Sequence, residues 1–168
     1  MKKEMASPRY GGARYPVAVL LDNRRFVEFH VDAAVGDYVP AAPEAEREPG
    51  FLSFANIEAA VFRVLPRDDQ FAEKLHAYTL PRSGANSRVR DLVDMALLIN
   101  EGKLSQAKTK AALASVFSRR KTHSLPRFLA SAPVSWESSF RELSEECGLE
   151  LDLPAAFELL QKYYRSLR

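Results

Sequence analysis

The chain has 168 residues, enough for one domain with a real core and short for two, and its 46% hydrophobic and 27% charged residues are the proportions of a globular protein. No apolar run approaches the ~20 residues of a membrane helix, so no membrane span is expected, and MKKEMASPRY lacks the apolar stretch of a secretory signal. The single cysteine, Cys147, excludes an internal disulfide or a cysteine-based zinc cluster and fits a reducing cytoplasm, while a net charge of +2 is too weak to attract a polyanion through the overall field.

In chain order, YPVAVLL (15–21) and FVEFHVDA (26–33) are rich in β-formers and flank the polar stretch DNRR, which predicts a β-hairpin. Strand alternation puts Val27, Phe29 and Val31 on one face of its second strand and Glu28, His30 and Asp32 on the other. Residues 36–50, with their prolines, glycines and acids, read as a loop, FLSFANI (51–57) as a short strand or irregular lead-in, and VFRVL (61–65) as a strand stopped by Pro66.

From Asp68 onward the pattern is helical. A first helix over about 68–79 carries Phe71, Leu75 and Tyr78 on its core stripe and ends before Pro81. A second, about 88–100, has Asn86 or Ser87 as its cap and is apolar nearly all round after its first turn, which predicts burial. A third, about 105–118, runs into the basic knot SRRKTH; a fourth, about 135–146, presents Trp136, Phe140 and Leu143; a fifth, about 153–166, follows Asp152 as cap and Pro154 in its first turn. Strands first and helices after is an α+β order, with 1–66 the strand-rich part and 67–168 the helical part of one unit.

The charges of this helical part invite two readings. Glu73, Lys74 and His76 crowd the first helix, and Arg88, Arg90, Asp91 and Asp94 crowd the start of the second. Local pairing explains much of this: acids favour a helix N-terminus, and Arg88 with Asp91 or Arg90 with Asp94 are neighbours on one face. Local pairing does not explain why charges gather where a buried helix begins, since desolvated carboxylates need partners or a ligand. Lys74 either snorkels to solvent or offers a point charge to a phosphate, and His76 is either a base or ligand or a hydrogen-bonded structural residue.

FAEKLHAYTLPR followed by SRVRDLVDMALLI resembles the AEKLHA and R-V-K-D-L-x-D pattern of the nucleotidyltransferase AbiEii/AbiGii toxin family, a member of the minimal nucleotidyltransferase, polymerase-β-like superfamily. RYPVAVLLDNRRFVEFHVDAAVGD, FLSFA and FSRRKTHSLPRFLASAPVSW extend the likeness from about residue 11 to the C-terminus. The resemblance implies a partial nucleotidyltransferase sheet, a hairpin plus one or two further strands, followed by about five helices. It also implies transfer of a nucleotide from an NTP to a hydroxyl, such as that of a tRNA or other RNA, with Mg²⁺ clamping the attacking and leaving oxygens, and an antitoxin protein as partner.

By the same resemblance Asp32 matches the third metal carboxylate, Lys74 the lysine that contacts the triphosphate, and Asp91 the acid of the last motif, with Asp94, Arg88, Arg90 and His76 beside them toward substrate. The departure is as specific as the match. The family's Gly-Ser turn and Asp-x-Asp pair lie upstream of the hairpin, where this sequence has about ten residues, and no Asp-x-Asp occurs anywhere in it. The expectation is a chain without the nucleotide-and-metal half of the site and inactive alone. The alternative function is a non-catalytic module that binds an antitoxin, a partner chain or RNA, with SRRKTHSLPR (118–127) as the candidate anion-binding surface or simply a solvated linker. A third reading makes Glu28, His30, Asp32 and His76 a different metal site.

Overall fold

The computed structural model describes residues 3–4, 12–34, 43–50, 52–84 and 86–168. Contacts divide the chain into two compact units, Met1–Ala42 and Pro43–Arg168. The element order is strands first and helices after, the α+β arrangement expected.

The first unit holds an antiparallel sheet of β1 (Lys3–Glu4), β2 (Gly12–Leu21) and β3 (Arg24–Ala34), in that order. Asp22 and Asn23 connect β2 to β3 with φ of 49° and 59°. Two consecutive positive φ values are those of a type I′ turn, whose twist matches the flanking strands and which Asp and Asn tolerate best among residues with a side chain. The predicted DNRR turn therefore contracts to two residues, and Arg24 and Arg25 open β3. The register pairs Tyr15 with Val31, Val17 with Phe29 and Val19 with Val27 on one face, and Arg14 with Asp32, Pro16 with His30 and Ala18 with Glu28 on the other. The predicted alternation of β3 is thus the observed one.

In the second unit β4 (Glu44–Arg47) pairs antiparallel with β5 (Val61–Val64). β5 is the strand that VFRV announces, but β4 lies in the stretch read as loop, because Glu-Ala-Glu-Arg has no β-forming side chain. Besides its ladder with β5, β4 has non-local ion pairs: Arg67, at the start of the first helix, reaches Glu46 at 2.9 Å and Glu44 at 3.6 Å, and also Glu101, outside β4, at 3.2 Å. Within residues 52–57, read as a short strand or irregular lead-in, Ser53–Ala55 form one 3-10 turn that Asn56 ends at φ 57°.

Five α-helices follow: α1 (Arg67–Thr79), α2 (Val89–Asn100), α3 (Gln106–Arg120), α4 (Glu137–Glu146) and α5 (Leu153–Ser166). Ser105 caps α3 by accepting from the Lys108 N–H, and Asp152 caps α5 by accepting from the Ala155 N–H at 2.8 Å, each satisfying a donor the first turn leaves free. α1 packs on α2 and α3, and α2 also on α4 and α5, so α2 is the central helix. Phe71, Leu75, Leu92, Met95, Val116, Phe140 and Leu160 are fully buried between them. Each such side chain contributes about 1.5–3 kcal/mol over its exposed state, which makes this core the main source of stability.

Asp68 and Thr109, two polar residues buried in the core, are hydrogen-bonded. Asp68 Oδ1 accepts from the Ser105 N–H at 3.1 Å and from the Thr109 hydroxyl, which lies 2.9 Å from the Tyr163 hydroxyl. One buried carboxylate thereby ties the first turn of α1 to the cap of α3 and to α5.

Candidate functional site

The α1–α2 interface positions the site. Lys74 sits on the flank of α1 facing α2, where its ammonium bonds Asp94 Oδ2 and stands 3.9 Å from Asp91 Oδ1. Asp91 and Asp94 share one face of α2 because they are three residues apart, so one lysine meets both. Arg88, just before α2, brings a guanidinium nitrogen to 3.6 Å from Asp91 Oδ2. Asn86 shapes this approach: its Oδ1 accepts from the Arg88 N–H at 3.1 Å and its backbone carbonyl accepts from the Trp136 indole at 2.7 Å. Of the two predicted caps, Asn86 therefore acts on the residue before the helix, and no side chain caps α2 directly.

Asp91 is the unusual member. Its side chain is only 14% exposed, and its Oδ2 is buried with no hydrogen-bond partner. Desolvation raises its pKa, opposed by Lys74 and Arg88, reinforced by Asp94 and opposed again by the more distant Arg82. An unpartnered buried carboxylate oxygen costs free energy, which a ligand hydroxyl, an amine or a proton can recover.

The remaining predicted residues make none of these contacts. Arg90 is exposed on α2. Asp32, in the first unit, accepts two hydrogen bonds from Arg14, both at 2.7 Å, and this bidentate pairing lowers its pKa. His76 is 5% exposed and belongs to a second cluster at the end of α1. Its Nε2 lies 2.8 Å from Thr122 Oγ1, Thr122 Oγ1 lies 3.1 Å from His123 Nδ1, and His123 Nε2 lies 2.9 Å from Thr79 Oγ1. The two imidazoles lie 4.7 Å apart between centroids and tilted by 44°, with Phe117 edge-on to both. Burial first, then His123, Arg120 and Arg119, hold the His76 pKa down to about 4, and burial lowers that of His123.

Arg119 and Arg120 both bond the carboxylate of Glu73, on α1. The first half of the SRRKTH knot is therefore the last turn of α3, closed by Lys121 at φ 50°, rather than a solvated linker. Sequence reasoning singled out neither Asp68 nor His123, because each acts through partners far away in the chain. Among the described residues no three His, Cys, Asp or Glu side chains are gathered to hold a metal ion, and no helix is long and apolar enough to cross a membrane.

A search among curated proteins finds no match to the chain. The family model described as nucleotidyl transferase AbiEii toxin, type IV TA system, matches residues 2–166. The chain belongs to that family, and the match begins nearer the N-terminus than the motif likeness alone indicates.

Proposed function

We propose that this nucleotidyltransferase-family toxin engages an NTP at the α1–α2 junction, with Lys74 directed to the phosphates and Asp91 to a hydroxyl. The observation that carries the reading is the junction itself: one half-buried lysine held between two carboxylates, one of which keeps a buried oxygen without a hydrogen bond. As it stands the cluster is electrically balanced, two cations against two anions. An incoming triphosphate takes Lys74 from Asp94, and the low polarity around Asp91 strengthens the charge interactions that replace it. Arg88, partly exposed beside Asp91, is placed to add a second positive contact. Asp94 holds the ammonium at this position in the absence of ligand.

The reaction in view is transfer of a nucleotide to a hydroxyl acceptor such as an RNA, with an antitoxin as the protein partner that a toxin of this family implies. Asp91, with its raised pKa, is suited to accept a hydrogen bond or a proton from the acceptor hydroxyl. The family generally uses a divalent metal. Here Asp32 has both oxygens on Arg14, Asp94 is on Lys74, and no Asp-x-Asp pair exists in the sequence, so the described residues do not fit a Mg²⁺ site. No step is assigned to a metal, and transfer by this sequence alone lacks the carboxylates that the family's reaction uses.

Calorimetric titration with ATP, GTP, CTP and UTP, with and without Mg²⁺, tests the proposal. Wild-type protein is expected to bind at least one NTP, and Lys74→Ala to weaken binding about ten-fold or more, the loss of one charge-assisted hydrogen bond. Absence of NTP binding, or equal binding by Lys74→Ala, contradicts it.

A further inference from the structure

We propose that the surface around Phe128 binds single-stranded nucleic acid, with the exposed ring as a stacking platform and four arginines as phosphate contacts. Phe128 is 75% exposed, in the irregular segment between α3 and α4. Its ring lines two adjoining clefts. One, about 390 Å³, is lined by Arg82 and Asn86 from the α1–α2 connection and by Tyr78. The other, about 170 Å³, is lined by Arg127, Arg165 and Arg168.

Neither cleft is lined by a single Asp or Glu among the described residues, in a chain where acids nearly balance bases. None of the four guanidiniums forms an ion pair with a described carboxylate. Arg82 donates to the Ala77 carbonyl at 3.2 Å, Arg165 reaches the Gln161 side chain at 3.4 Å, and Arg168 donates to the Pro126 carbonyl at 3.0 Å. Each keeps further N–H donors for a phosphate, since a guanidinium has five. Arg119 and Arg120, by contrast, are engaged by Glu73. The positive surface thus lies beyond the basic knot, at Arg127 and on α5.

The platform is held in place. Tyr164 and Arg168 both donate to the Pro126 carbonyl, and Tyr78 donates to the Ala130 carbonyl at 3.1 Å, fixing the segment on both sides of Phe128. Arg127 lies 5.5 Å from the Phe128 ring centroid, a cation beside an aromatic face. An exposed aromatic flanked by unpaired arginines is how proteins hold an unpaired base and the phosphates on either side of it. A duplex, whose bases are stacked already, cannot use the ring. The inference rests on these residues alone and not on the nucleotide reading of Lys74: an oligonucleotide titration tests one and an NTP titration the other.

Fluorescence anisotropy with a labelled mixed-sequence 12-mer, as RNA and as DNA, is the test, with the matching duplex and anionic phosphatidylserine vesicles as competing ligands. Both single strands are expected to bind, and tighter binding of the RNA arm would assign part of the affinity to its 2′-hydroxyls as well. Phe128→Ala is expected to lower affinity about five- to hundred-fold. Arg165→Glu, on an exposed helix face, lowers it further and flattens the logarithmic salt dependence by roughly 0.7 for each phosphate no longer neutralised. Lys103→Glu makes an equal charge change on an exposed residue just past the C-terminus of α2, the end of that helix opposite Asn86. It is expected to leave affinity within about two-fold, because Lys103 lines neither of the two clefts beside Phe128. The inference fails if Phe128→Ala binds like wild type, if Lys103→Glu matches the loss from Arg165→Glu, if the duplex binds as tightly as the single strands, or if vesicles bind and oligonucleotides do not.

Discussion

Acidification should destabilise this protein through His76 well before its carboxylates are fully titrated. Unfolded, the imidazole has a pKa near 6.5; folded, it is held at about 4 by burial first and then by His123, Arg120 and Arg119. The depressed value means the folded state binds fewer protons than the unfolded state throughout this window. Its stability is therefore whole above pH 6.5 and falls as pH drops toward 4. At 1.36 kcal/mol per unit, the full loss is about 3 kcal/mol, and about 2 kcal/mol of it is reached between pH 7 and pH 5.

The groups facing the ring are His123, whose own pKa is lowered, Arg119 and Arg120, which share Glu73, and the neutral Thr122 hydroxyl at 2.8 Å. None offers a nearby anion to the protonated ring except Glu73, which two guanidiniums already engage. For a unit of this size, 2 kcal/mol corresponds to about 4–8 °C in Tm. The assay is thermal unfolding by circular dichroism at pH 7, 6 and 5 for wild type and His76→Gln. His76→Gln starts lower, but its Tm should fall about 4–8 °C less over that range. Parallel losses in the two proteins would refute the reasoning, as would an NMR titration placing the His76 pKa near 6.5.

Three further outcomes follow from the core and from one helix cap. Phe71→Ala, which empties a fully buried site and removes the edge-to-face contact with Tyr163 at 5.2 Å, is expected to cost about 3–5 kcal/mol in urea unfolding. Thr109→Val is nearly isosteric but takes hydrogen bonds from Asp68 and Tyr163, so it should cost about 1–3 kcal/mol, more than a change of shape alone explains. Asp152→Ala removes the α5 cap and should cost about 1 kcal/mol, largely restored in Asp152→Asn; equal losses in the two would rule out the cap as the cause.

The helices and their buried faces were legible in the sequence because they are written locally. Prolines bound α1, Asp152 and Pro154 announce α5, and the 3.6-residue spacing of Phe71, Leu75 and Tyr78 is a core stripe whatever surrounds it. The hairpin was equally local, since its alternation fixes both faces once a turn is granted. β4 was not, because its pairing with β5 and its hold on Arg67 join segments separated by an intervening loop.

The same division runs through the candidate site. Asp91 and Asp94 on one face follow from helical geometry, and Lys74 opposite them required only that α1 lie on α2. The missing hydrogen bond at Asp91 Oδ2 could not be read from spacing, since it depends on how far Arg88 and Lys74 reach. How the basic knot is engaged was hidden for a similar reason: the pairing of Arg119 and Arg120 depends on Glu73 in another helix. Phe128 carried no periodic signal at all, and only the placement of the segment against Tyr78 and Tyr164 shows that it stands exposed between arginines.

The central claim is that Lys74 touches the phosphates of a bound NTP. It is tested most directly by the NMR resonance of the Lys74 ε-methylene in protein labelled at lysine with ¹³C, assigned by its loss in Lys74→Arg. During an NTP titration that resonance should shift and saturate in step with binding, as its ammonium exchanges Asp94 for phosphate oxygens. An NTP that binds to saturation while the Lys74 resonance stays where it was would contradict the account.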